Sequence, residues 1–206
     1  MIMFHSKYFP KSIDDCKFNK DLIQRFSNYG KYENLLNTII YGPEGSGKKT
    51  LVYFLLSAVL KVPIMDLKQV NITEEIFKDQ KYTLISNNYF FELDAMEIKQ
   101  SDKKIITNFI IKIAETFDVC TFKYKILIIS NAQYISNEMQ FSLRYLMDTC
   151  INNLRIIFIT TNIDKMDDTI QSRCCLLDVP QSPDLDIIEY QQSKSNFSDD
   201  YFYQIK

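Results

Sequence analysis

Residues 38–50 constrain this chain more than any other stretch. They read Thr38-Ile39-Ile40-Tyr41-Gly42-Pro43-Glu44-Gly45-Ser46-Gly47-Lys48-Lys49-Thr50, a β-branched apolar run that breaks into a glycine-rich loop ending in two lysines and a threonine. The chain of 206 residues has only 4 glycines, and Gly42, Gly45 and Gly47 are among them. Glycine concentrated in this way marks backbone that must bend unusually or let something approach closely. The run fits G-x-x-x-x-G-K between a strand and a helix. In that motif, backbone N–H groups surround a β-phosphate while the lysine, here Lys48, reaches the β- and γ-phosphates. A bare strand-to-helix turn with no ligand is the plain alternative, but it leaves the offset of Lys48 unexplained. One position departs from the motif. The residue after the lysine should offer Mg²⁺ a hydroxyl, and here it is Lys49, with the threonine displaced to Thr50.

The rest of the chain reads as an α/β domain. Apolar runs at 36–41, 89–93, 125–130, 155–161 and 175–179 predict strands, and the continuous Ile126-Leu127-Ile128-Ile129 run suits a strand buried on both faces of a parallel sheet. Helices are expected at 47–60, 101–117 and 137–150, with a short one near 167–172 and another near 21–29. Strands and helices alternate, so the expectation is a central parallel sheet of about five strands with helices on both faces. Residues 61–88 read as a surface excursion of short elements.

Composition removes several function classes. A net charge of −2 lacks the basic excess of a dedicated nucleic-acid-binding arm. The 5 cysteines form no C-x-x-C pair and no disulfide framework, which suits free thiols in a reducing compartment. No apolar run approaches the roughly 18 residues of a membrane span, and the N-terminus has no signal-peptide core. A soluble, intracellular protein is expected. His5 is the only histidine, which argues against a Ser-His-Asp triad or a histidine-rich metal site.

Phosphate hydrolysis needs an acidic partner for the loop, ordinarily at the end of a second apolar strand. The strand 125–130 runs instead into Ser130-Asn131-Ala132-Gln133. With Lys49 in the hydroxyl position, both usual protein ligands of magnesium are missing, and no nearby acid replaces them. Glu92 and Asp94 read as ordinary polar residues at a strand end.

Three further motifs join the glycine-rich loop in a family resemblance. Gly-Pro-Glu-Gly-Ser-Gly-Lys-Lys-Thr is followed by Gln140-x-Ser142-Leu143-Arg144-x-x-Met147-Asp148, then Thr161-Asn162, then Gln171-Ser172-Arg173-Cys174. In order and spacing these resemble the small subunits of replication factor C, the AAA+ sliding-clamp loader, across roughly Phe4 to Val179. The segment Phe4-x-x-Lys7-Tyr8-Phe9-Pro10 is similar to that family's opening, with Phe for Trp and Phe9 for Arg. The Lys-Lys-Thr loop and the missing acids are closest to the small subunit whose own nucleotide site is degenerate.

The resemblance implies an AAA+ P-loop domain over 1–180, with 181–206 a tail or the start of a truncated helical lid and no collar domain. It implies a clamp-loader subunit that binds ATP at residues 42–50 with weak or no hydrolysis of its own, and magnesium doubtful there. Asn162 would sense the γ-phosphate, and Arg173 would be an arginine finger reaching the ATP of a neighbouring subunit. A strand-end turn for Asn162 and a plain surface arginine at 173 are the rival readings. For Arg144, solvent or the ring interior competes with a DNA role. The implied partners are other loader subunits in a hetero-oligomeric ring, the sliding clamp and, through the complex, primer-template DNA, in the nucleus or in a viral factory. A self-sufficient P-loop ATPase or kinase and a nucleotide-free scaffold are the competing functions.

Overall fold

The computed structural model describes residues 35–63, 71–77, 80–86, 89–98 and 124–181, with positions 19, 22, 25, 108, 110 and 111. In chain order the elements are β1 (Thr38–Tyr41), α1 (Lys48–Leu60), β2 (Asn71–Phe77), β3 (Gln80–Ser86), β4 (Phe90–Asp94), β5 (Lys125–Ser130), α2 (Asn137–Thr149), β6 (Leu154–Thr160), α3 (Asp168–Gln171) and β7 (Cys175–Asp178). Short 3₁₀ turns follow β4, β5 and β6.

One sheet holds all seven strands in the order β2-β3-β4-β5-β6-β1-β7. From β4 to β7 every pairing is parallel, which gives the five-stranded parallel core expected from the sequence. The difference lies at one edge. Part of the stretch expected to be short surface elements forms the antiparallel pair β2–β3, and β3 runs antiparallel to β4. Seven strands thus make a mixed sheet.

The period of two in the central strands sorts the core into two faces. Ile40, Ile126, Ile128, Ile157 and Ile159 face α1 and pack with its Leu51, Phe54, Leu55 and Leu56. Their neighbours Ile39, Leu127, Ile129, Ile156 and Phe158 face the other way, onto Met139, Leu143, Leu146 and Met147 of α2. A strand apolar at every position needs a helix on each side, and this sheet has them. Helix α1 is buried over most of its circumference. Helix α2 is narrower in its apolar face and is capped by Ser136, whose side chain accepts from the Met139 N–H.

Of the helix expected at 101–117, positions 108, 110 and 111 are described and helical, with Ile110 fully buried. The aromatic-basic segment 4–10, Lys103, Lys104 and everything after 181 lie outside the described residues. Among the described residues, no helix is long and apolar enough to cross a membrane, and Cys150, Cys174 and Cys175 are free thiols.

Candidate nucleotide site

The loop 42–47 leaves the carboxyl end of β1, inside the sheet, and feeds directly into α1. In open α/β sheets this crevice at the carboxyl ends of the strands is where ligands bind. Gly42, Gly45 and Gly47 all have positive φ, at 150°, 75° and 83°. Gly42 also has no room for a side chain, because a Cβ there would lie 2.2 Å from the carbonyl oxygen of Val179. Gly47 caps α1 in the left-handed conformation, with no side-chain cap and no acidic residue in the first turn. The first N–H groups of α1 are thus left without a side-chain cap from Gly47 or an acid of the first turn, the arrangement that suits an anion.

Lys48 is 8% exposed. Its ammonium donates to the carbonyl oxygens of Gly42 at 2.8 Å and Pro43 at 2.5 Å, and lies 3.5 Å from the Ser46 hydroxyl. Burial holds it below the ordinary lysine range, while Glu44 acts in the opposite direction. The ammonium thus rests inside the loop it would serve, on acceptors weaker than phosphate.

Around the loop opens a cleft of about 470 Å³, lined by Gly45, Gly47, Lys48, Lys49 and Thr50 on one side and by Ile85, Glu92, Asp94, Ser130 and Asn131 on the other. Here one sequence expectation is overturned, since an acid does stand beside the loop. Glu92 comes from β4, the strand next to β5, where it pairs in register with Ile128. Phe90 faces α1, so Glu92, two residues on, faces it too and meets the start of that helix. The Lys49 ammonium sits 2.7 Å from Glu92 Oε1. Ser130 donates its hydroxyl to the same oxygen at 2.6 Å. Glu92 Oε2 is buried without a hydrogen-bond partner among the described residues.

The remaining polar residues after β5 are also engaged. Asn131 donates to both carboxylate oxygens of Asp94, at 2.9 and 3.0 Å. The Gln133 side-chain oxygen accepts from the Thr160 hydroxyl at 3.2 Å and the Thr161 N–H at 3.3 Å. Magnesium is the ion that loops of this kind ordinarily hold, and these residues do not fit it. A cation occupies the hydroxyl position, its carboxylate partner is already matched, and Ser130 and Asn131 are tied to β4. No cluster of three or more His, Cys, Asp or Glu among the described residues is arranged to hold a metal.

The other candidate residues lie away from the cleft lining. Asn162 follows β6, and its side-chain oxygen caps the next 3₁₀ turn by accepting from the Asp164 N–H at 2.9 Å. Arg173 lies between α3 and β7. Its guanidinium grips Asp148 of α2 with Nε at 2.8 Å and a second nitrogen at 3.1 Å, and it donates to the Thr169 carbonyl at 2.8 Å. That bond pulls the Asp148 carboxyl below its usual range and raises Arg173. Arg144 stacks its guanidinium 4.4 Å from the Phe141 ring centroid. Gln140 is 1% exposed. It donates to the carbonyls of Ile135 and Lys165 and accepts from the Asp167 N–H at 2.6 Å, fastening α2 to the segment that leads to Arg173.

Strand, glycine-rich loop and lysine-bearing helix within the parallel part of the sheet define a P-loop domain. A family model described as DNA polymerase III, delta subunit, matches residues 18–183. The chain belongs to that family. It is 31% identical over 185 residues to a protein of Acanthamoeba polyphaga mimivirus named as a replication factor C small subunit, covering 87% of this chain and 50% of that one. To replication factor C subunit 3 of Arabidopsis thaliana it is 27% identical over 181 residues, covering 84% and 51%. With replication factor C subunit 5 of Saccharomyces cerevisiae the identity is 24% over 199 residues, covering 91% and 56%. The chain thus spans about half the length of these relatives. In fold it matches a Thermotoga maritima RuvB structure with a TM-score of 0.55 at 14% identity, covering 85% of this chain and 49% of the other.

Proposed function

We propose that this chain is a subunit of a DNA sliding-clamp loader of the replication factor C kind, binding ATP at residues 42–50 with weak or no hydrolysis of its own. One observation carries the second half of that reading: Lys49 stands where a metal-binding hydroxyl belongs and is paired with Glu92. Gly42 and Pro43 would shape the turn, and the backbone N–H groups of Glu44, Gly45, Ser46, Gly47 and Lys48 would wrap the phosphates. Phosphate oxygens, as charged acceptors, would draw the Lys48 ammonium from the carbonyls that now hold it. The chemistry that magnesium supplies in such sites, polarisation of the γ-phosphate, has no side chains here to support it. Family membership and the replication factor C names of the relatives support the subunit role.

The contribution to catalysis would be made next door. Arg173, at the surface and preorganised by Asp148, would reach the nucleotide of a neighbouring subunit, with Asn162 sensing this chain's own nucleotide. The partners would be other loader subunits, the sliding clamp and primer-template DNA.

Fluorescent-ATP titration of the chain and of its Lys48→Ala variant, alongside turnover measurements, tests this. Binding that is lost in the variant, with negligible turnover, is the expected result. Appreciable turnover abolished by Lys48→Ala would instead mean a self-sufficient ATPase, and no binding at all would leave a scaffold.

A further inference from the structure

We infer that the Lys49 ammonium, anchored on Glu92, replaces the divalent ion of this site, so that the chain binds nucleoside polyphosphate without a metal. This rests on the nucleotide reading above and adds to it how the phosphate charge is met. Lys49 stands at the start of α1, in the place of the residue whose hydroxyl would hold the ion. Its side chain is 52% exposed, whereas that of Glu92 is 4% exposed. The anchor is therefore inside the fold and the cation faces the cleft. In an ordinary site the metal lies between a protein carboxylate and the phosphate oxygens. Here an ammonium with three donors lies against the carboxylate at 2.7 Å, and Lys presents a compact point charge suited to phosphate.

The surroundings oppose a second cation at the same point. Ser130 spends its hydroxyl on the oxygen that Lys49 uses. The other oxygen, Glu92 Oε2, is closed off from solvent, so an entering ion would have to displace Lys49 to reach the carboxylate. Thr50 lines the cleft but follows Lys49 by one residue, about 100° further round the helix. Lys48 and Lys49 together then meet the phosphates, and Glu92 offsets one of the two charges when no nucleotide is present.

Calorimetric titration of the full chain with ATP, in magnesium and in EDTA, tests this directly. The expected result is a dissociation constant that agrees between the two buffers within about threefold. In Lys49→Ser, Glu92 faces the phosphates uncompensated. Affinity in EDTA should then fall by about tenfold or more, the weight of one charged hydrogen bond, and magnesium should restore much of it. Lys49→Arg keeps the cation and should stay indifferent to magnesium, which guards against a serine variant that fails to fold. Wild-type affinity that drops tenfold in EDTA, or an unchanged Lys49→Ser, overturns this inference and leaves nucleotide binding standing. Absence of wild-type binding in both buffers overturns the nucleotide reading and this one with it.

Discussion

Replacing single glycines of the phosphate loop by alanine separates two requirements that the motif hides. At Gly42 a new Cβ would lie 2.2 Å from the Val179 carbonyl oxygen, more than 1 Å short of the 3.4 Å at which ordinary contact begins. Backbone cannot swing aside as a side chain does. Val179 is fully buried, and its N–H is fastened to the Tyr41 carbonyl at 2.8 Å. The residue also has φ of 150°, in a region open essentially to glycine alone. Overpacking and backbone strain together should cost roughly 2–6 kcal/mol. At Gly45 nothing lies within 4 Å and only the positive φ of 75° remains, so Gly45→Ala should cost about 1–2 kcal/mol. A separation of roughly 1–4 kcal/mol between the two variants corresponds to about 2–16 °C in Tm for a chain of this size. Thermal unfolding followed by circular dichroism measures it. Equal melting temperatures for Gly42→Ala and Gly45→Ala would refute the claim that close packing against β7, rather than loop flexibility, fixes the first glycine.

Other predictions concern the framework around the site. Gln140→Ala removes three hydrogen bonds of a buried side chain, so urea denaturation should show a loss of about 2–3 kcal/mol. Burial pushes the Cys174 thiol up to about 12 from 9.0. At pH 8 its thiolate should be about 10³-fold scarcer than that of an ordinary cysteine, and mass spectrometry should find its alkylation slow until the chain is denatured. Because the folded-state value is the higher one, the associated stability is complete below about pH 9 and declines as pH rises towards 12. Asp148 behaves oppositely. Arg173 holds it below 3.8, so the advantage of the wild type over Asp148→Asn should be present above that pH and vanish as pH falls through the lowered value.

The parallel core was legible because β1, β5 and β6 are apolar at every central position, and only a strand covered on both faces can be so. The pair β2–β3 was not, since residues 71–77 and 80–86 mix Asn, Glu, Gln and Lys with their apolar residues and so lack that run. The phosphate loop stood out through three glycines and Lys48. Glu92 reads in the sequence as an ordinary polar residue at a strand end, because the acid of such a loop ordinarily ends the strand that is β5 here, whereas Glu92 comes from the adjacent strand. The signal was present all the same: a carboxylate between Phe91 and Leu93 occupies a position that a buried strand reserves for apolar side chains. Only the sheet order, which sets β4 beside β5, turns that oddity into a partner for Lys49. The grip of Asp148 on Arg173 spans 25 residues, and no local pattern announces it.

The measurement that bears most directly on the account is single-turnover ATP hydrolysis in the native complex purified with this chain, with and without Arg173→Ala. If the chain acts through its neighbour's site, hydrolysis there should fall by about 10³-fold or more, while ATP binding to this chain's own loop stays intact. Hydrolysis that is unchanged in the clamp- and DNA-stimulated complex would contradict it.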